Sequence, residues 1–153
     1  MLDSLIIFCA KYLVVAPLGG ALALARAQGL AAAKKIALEV ALALPVAYLL
    51  ARLAGLLYQH EQPFAAWDFL PLIPHEVDNS FPSDHMLVAA VFATAAYLRH
   101  RYLGLSLWAF AGLLGIARVA AGLHYPVDLV AASLIAIAAV YAARALAAYA
   151  KLR

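Results

Sequence analysis

The stretch Asp78-Asn79-Ser80-Phe81-Pro82-Ser83-Asp84-His85-Met86-Leu87-Val88-Ala89-Ala90-Val91 passes from polar to apolar within a few residues. Pro82 and Ser83 end one segment and open a helix, with Ser83 at the N-cap and Asp84 and His85 in the first turn. The apolar run continues to Leu98 and stops at Arg99-His100-Arg101. It reads as a membrane span, although a full crossing needs about 20 residues and this one is shorter.

The rest of the chain fits that reading. Of its 153 residues, 68% are hydrophobic and 12% charged, and the mean hydropathy is +0.93. Soluble domains carry about 25% charged residues, which excludes an ordinary soluble domain. The expected fold is all-α: a single integral membrane bundle of about five transmembrane helices spanning residues 1–153. A net charge of +3 without a basic stripe argues against a nucleic-acid partner. Cys9 is the only cysteine, so neither an intrachain disulfide nor a thiolate metal cluster can form. Met1-Leu2-Asp3 lacks the basic residues of a signal peptide and reads as the start of a retained span.

In order, the first span covers residues 2 to 25, with Lys11 inside it and a bend expected near Pro17-Leu18-Gly19-Gly20. A polar link holding Arg26, Lys34 and Lys35 precedes a second span from 36 to 58, in which Glu39 and Arg52 are polar intruders and Pro45 marks a kink. Residues 59 to 83 form the one long connection, where Pro63, Pro71, Pro74 and Pro82 forbid a continuous helix. The third span is 84 to 98. The fourth is 103 to 121, whose Gly104, Gly112 and Gly115 permit close helix approach. The fifth is 126 to 148. Five spans gather Arg26, Lys34, Lys35, Arg99, Arg101, Arg144, Lys151 and Arg153 on one side. Because basic residues favour the cytoplasmic side of short loops, the N-terminus is expected outside and the C-terminus inside.

Two polar islands then face outward. A helix N-terminus beside Ser83, Asp84 and His85 offers unpaired amides and a partial positive charge, a natural seat for phosphate. His85 can give a proton to a leaving group. In the second island, Arg118 can clamp phosphate oxygens, and Asp128 follows His124 by one helical turn. A carboxylate beneath an imidazole fixes its tautomer and stabilises positive charge, leaving the histidine free to attack.

These residues resemble the type 2 phosphatidic acid phosphatase superfamily of membrane lipid phosphatases. Its second motif, Pro-Ser-Gly-His, appears as Pro82-Ser83-Asp84-His85, and its third as Ala117-Arg118-x5-His124-x3-Asp128 with the spacing intact. The longer string from Asn79 to His85 is similar to the small undecaprenyl-diphosphatase branch. The resemblance implies a double displacement without a metal or other cofactor. His124 would attack phosphorus, Asp128 would hold its ring, and His85 would protonate the leaving oxygen and then activate water. Arg118, Ser83, Asp84 and backbone amides would hold the phosphoryl group of a membrane lipid substrate.

The first family motif, Lys-x6-Arg-Pro, is eroded. Aligned on Pro63, its arginine falls at Gln62 and its lysine at Gly55. Gln62 and Pro63 are therefore expected at the phosphate site without a charge, and Arg52 or Lys11 is the candidate replacement cation. The resemblance favours hydrolysis of undecaprenyl diphosphate on the outer face of the inner (plasma) membrane. A broader phosphatase of phosphatidic acid or phosphatidylglycerophosphate is the alternative, and so is a non-catalytic lipid-phosphate binder. Blander readings stand beside these: Ser83 as a simple cap, Arg52 and Lys11 reaching to headgroups, and Asp128 as a helix cap. His60-Glu61 and His75-Glu76 are adjacent pairs, a poor spacing for a metal.

Overall fold

A computed structural model describes residues 1–149, in which seven helices account for nearly all the regular structure. Lys151 and Arg153, assigned above to the inner side, lie outside the described residues. The first span is two helices, α1 (Leu2–Tyr12) and α2 (Val15–Ala27), bent by 47°. The break falls at Leu13-Val14 and not at Pro17–Gly20 as the sequence suggested. Pro17 lacks the N–H that would bond the Leu13 carbonyl, so the disturbance appears one turn before the proline. Next, α3 (Leu30–Leu57) starts earlier than expected, after a turn at Gln28-Gly29. Lys34 and Lys35 belong to its first turns, because alanines on both sides favour continued helix. Pro45 lies inside α3 without ending it.

The long connection holds only the one-turn α4 (Pro63–Ala66), for which Pro63 supplies the first helical position. It is pinned to the turn after the sixth helix: Phe64 N–H donates to Gly122 O at 3.2 Å, and Leu72 N–H to Ala121 O at 3.2 Å. Phe64, Ile73, Ala117, Ala121, Leu123 and Ala10 of α1 form a small second core beneath it. The last three helices are α5 (Asp84–Tyr97), α6 (Arg101–Ala120) and α7 (Pro126–Tyr149).

Helix α5 is the axis of the bundle, packed by α2, α3, α6 and α7. Its apolar residues surround it on every side, the pattern of a helix enclosed by others. Ala89, Ala90, Ala93, Ala95 and Ala96 are fully buried and let neighbouring backbones come close. Gly104 shows how close: a Cβ there would stand 2.2 Å from Tyr97 Cα. Gly112, expected to act likewise, has nothing within 4 Å of its missing Cβ and so is no packing contact.

Helices α3, α6 and α7 are each long and apolar enough to cross a membrane, and the bent α1–α2 pair passes the same test as one unit. With 14 residues, α5 is about 21 Å long. That is less than the ~30 Å hydrocarbon layer, and α5 tolerates it because protein, not lipid, surrounds it. The protein is an all-helical, multi-pass membrane bundle.

Candidate active site

At the N-terminal end of α5 a cavity of about 350 Å³ opens between α3, the 78–82 segment and the C-terminal end of α6. Arg52, His75, Asp84, His85, Arg118 and His124 line it. The two polar islands, separate in sequence, meet there because α5 and α7 pack side by side and Ser83 N–H bonds Asp128 O at 3.3 Å.

His124 is the best-defined group. Arg118 Nη2, which can only donate, lies 3.2 Å from His124 Nε2, so that nitrogen is an acceptor. The ring proton therefore sits on Nδ1, which donates to Ser80 O at 3.0 Å, with Asp128 Oδ2 at 3.4 Å. The Ser80 carbonyl is thus the closer acceptor, and the carboxylate stands just behind it. Nε2 lies on the cavity side, and its one lone pair accepts from Arg118, so the guanidinium must turn away before that lone pair can meet another group.

Asp128 is fully buried and completely engaged. Oδ2 accepts from Ser80 Oγ at 2.6 Å and from Tyr125 N–H at 2.8 Å, while Oδ1 lies 3.0 Å from His60 Nε2. Arg118 is buried as well, yet no carboxylate pairs with it among the described residues, and its Nε has no partner. Such a charge favours an anion beside it. His85 is half-buried in the cavity wall, and no hydrogen bond among the described residues engages its ring.

The remaining expected site residues are placed less simply. Ser83 occupies the N-cap position, but its hydroxyl makes no cap bond; it is buried and has no partner among the described residues. Asp84 and Arg52 pair with each other at 2.6 Å on the cavity rim, and Arg52 also lies 4.5 Å from the Tyr48 ring centre. Arg52 thus reaches the cavity with its charge already answered. Lys11 is exposed on α1 and does not line the cavity.

Gln62 and Pro63 do not line it either. The Gln62 side chain is buried: its amide bonds the Asp78 carboxylate, and its Oε1 accepts from Asp78 N–H at 3.0 Å. It braces the connection instead of turning toward phosphate, and Pro63 opens α4 beside it.

At Gly55, where the family lysine would stand, a Cβ would lie 2.9 Å from Phe81 O and 3.1 Å from Asn79 Nδ2. Asn79 Nδ2 donates to both Gly55 O and Phe81 O, each at 3.0 Å, and clamps the loop onto α3. The missing lysine is thus part of the architecture: loop and helix are too close for any side chain there.

Sequence reasoning overlooked Ser80 and His60. Ser80 lay in the quoted polar run, but its two contacts depend on tertiary packing. His60 was weighed only against a metal, whereas its ring is directed at Asp128. His75, likewise weighed only against a metal, is a cavity wall supplied by the long connection.

Comparisons with known proteins agree with this geometry. The PAP2 superfamily profile matches residues 36–151. The bacitracin transport permease protein BcrC of Bacillus licheniformis is 38% identical over 100 residues, covering 63% of this chain and 48% of that one. The undecaprenyl-diphosphatase BcrC of Bacillus subtilis is 34% identical over 137 residues, covering 90% of this chain and 70% of that one. The chain therefore spans about half the length of the first and under three quarters of the second. Among solved structures, LpxE of Aquifex aeolicus superposes with a TM-score of 0.71 at 26% identity, covering 93% of this chain and 84% of that one. The second and third motifs keep their spacing around one cavity, although Asp84 stands for the motif glycine and Ala117 for the serine that opens the third. With the profile matched over residues 36–151, the chain belongs to the PAP2 superfamily.

Proposed function

We propose that the protein hydrolyses undecaprenyl diphosphate to undecaprenyl phosphate and inorganic phosphate, through a phosphohistidine on His124. The observation that carries this is the fixed tautomer of His124: Nδ1 holds its proton against Ser80 O, and the Nε2 lone pair accepts from Arg118, which frees it on turning to the phosphoryl oxygens. His124 Nε2 attacks the terminal phosphorus as the bond to the bridging oxygen breaks, and His85 gives that oxygen a proton. Nδ1–H stays in place, so the ring becomes cationic and Asp128 balances it. His85 then takes a proton from water, which attacks phosphorus and releases His124. Arg118 holds the equatorial oxygens, where its charge tells most in the transition state. Ser83 and the first amides of α5 complete the seat, and the Arg52–Asp84 pair lies at its rim.

The cavity holds a phosphate head and not a long chain. A volume of about 350 Å³ is at the low end for ligand pockets, which leaves the lipid tail outside it, where the exposed Leu53, Leu56 and Leu57 of α3 offer apolar surface. Undecaprenyl diphosphate is preferred because the Bacillus subtilis relative carries that activity in its name. The basic residues at the opposite end of the bundle support a site facing the periplasm or exterior of the plasma membrane. The lack of cations at Gly55 and Gln62 favours a second reading, a broader phosphatase of phosphatidic acid or phosphatidylglycerophosphate. The single phosphate of phosphatidic acid carries less charge than a diphosphate, and that of phosphatidylglycerophosphate is spread over two separated groups.

The test is phosphate release in detergent with excess EDTA, offering the three lipids in competition to wild type and His124→Ala. Chelator-resistant release from undecaprenyl diphosphate in preference to the other two, lost by roughly 10⁴-fold in the variant, is expected. Preference for phosphatidic acid would replace the first substrate with the second reading. Release that persists in the variant would sink the mechanism.

A further inference from the structure

We infer that His60 is a positioning residue for this reaction: it holds the Asp128 carboxylate from the side away from His124, so that His60, Asp128 and His124 form one hydrogen-bonded set. The inference rests on the reading of His124 as nucleophile.

The two oxygens of Asp128 have divided duties. Ser80 Oγ, Tyr125 N–H and His124 Nδ1 approach Oδ2 at 2.6, 2.8 and 3.4 Å. Only His60 Nε2 approaches Oδ1, at 3.0 Å, among the described residues. A carboxylate accepts, so His60 Nε2 is the donor. Ser80 and Tyr125 hold Oδ2 and His60 holds Oδ1, so both oxygens oppose rotation about the Cβ–Cγ bond and Oδ2 stays aimed at the His124 side. Without His60, a fully buried oxygen loses its partner, and rotation or an intruding water becomes the way to satisfy it.

His60 is itself firmly held. Its backbone N–H donates to Asn79 Oδ1 at 3.2 Å, and its carbonyl accepts from Ser80 N–H at 2.9 Å. Its ring stands edge-to-face with Tyr58 and Tyr125, centroids 4.8 and 5.0 Å apart. The bond to Ser80 matters most, because Ser80 contacts both Asp128 and His124. One loop therefore supplies both the His60 support on Oδ1 and the Ser80 support on Oδ2. The support comes from the same connection in which Gln62 stands at the place of the family arginine.

A histidine that merely fills space would affect stability; a positioning histidine affects turnover. Phosphate release is measured for wild type, His124→Ala, His60→Ala and His60→Gln, together with thermal unfolding of each. The Gln amide nitrogen falls near the Nε2 position and can donate to Oδ1. The expected result is a 10- to 100-fold lower kcat in His60→Ala, roughly, with KM within about threefold and most of the loss recovered in His60→Gln. If His60→Ala does not fold, His60→Asn, too short to reach Oδ1, takes its place against His60→Gln. A kcat within about twofold of wild type in the variant without the donor overturns the inference. So does a loss that His60→Gln fails to recover and that follows thermal stability. Should His124→Ala retain activity, the mechanism and this inference fall together; loss in His124→Ala with an unaffected His60→Ala removes this inference alone.

Discussion

Two arginines enter the bundle from opposite ends, and the chain treats them differently. At the end where α5 gives way to α6, Arg99 Nη2 lies 2.5 Å from Glu39 Oε1, with side chains 18% and 6% exposed. At the other end of α6, Arg118 is equally enclosed, but what faces it is the neutral Nε2 of His124 at 3.2 Å. The first arrangement is matched in charge: a buried cation is answered by a carboxylate that ties α3 to the end of α5, although Arg99 Nε and Glu39 Oε2 have no hydrogen-bond partner among the described residues. The second is unmatched: among the described residues no carboxylate forms an ion pair with the buried Arg118 guanidinium, and on the proposed reading the substrate phosphate does so. Burial alone therefore does not identify a functional arginine. What distinguishes Arg118 is burial without a carboxylate ion pair among the described residues, bonded instead to the histidine proposed as nucleophile.

The contrast can be broken most forcefully at Arg118. Arg118→Ala is expected to lower kcat/KM by about 10²–10³-fold with little change in thermal stability, as read by steady-state kinetics and a melting curve. Arg99→Ala is expected to do the reverse. It leaves a buried Glu39 without its partner and costs about 3–5 kcal/mol of stability, with kcat/KM within about threefold in detergent. If the two variants behave alike, the division into matched and unmatched charges is wrong. Gln62→Ala sharpens the picture on a smaller scale: losing its bonds to Asp78 costs about 1–3 kcal/mol by denaturant or thermal unfolding, while KM stays within about twofold. A raised KM at unchanged stability would return Gln62 to the phosphate site. Smallest of all, Arg52→Ala and Lys11→Ala should each change kcat/KM by less than about threefold. The Arg52 charge is already paired with Asp84 in a half-exposed contact of the kind worth about 0–1 kcal/mol. A tenfold loss in either variant would make that residue the missing cation.

The sequence revealed most where chemistry is written in spacing. Asp84 and His85 at a helix start, and His124 one turn before Asp128, follow from helical geometry alone, and the structure brings both groups to one end of the bundle. The boundaries of α5, α6 and α7 were legible for the same reason. Apolar runs bounded by charges or prolines leave little choice.

Helix α1 ended earlier than expected because a proline acts on the carbonyl one turn before itself, and α3 began earlier because lysines flanked by alanine still form helix. Gln62 was misplaced by aligning it with a charged family position. A neutral amide loses less on burial than a guanidinium does, and the Asp78 loop captured it. His60 and Ser80 were invisible for another reason. Their roles depend on where an irregular connection folds back, and no periodicity encodes that. The loop contacts that replace the family lysine at Gly55 are likewise tertiary, set by an Asn79 side chain far away in sequence.

The most direct test of the whole account is to trap the intermediate. Undecaprenyl diphosphate labelled in its terminal phosphate would be mixed with enzyme in EDTA, quenched in alkali within one turnover, and the label located by peptide mapping. The account predicts acid-labile, alkali-stable label on His124, absent from His124→Ala, with faster labelling than in Arg118→Ala. Turnover of the lipid with no label on the protein, or with label on His85 or another residue, would contradict it.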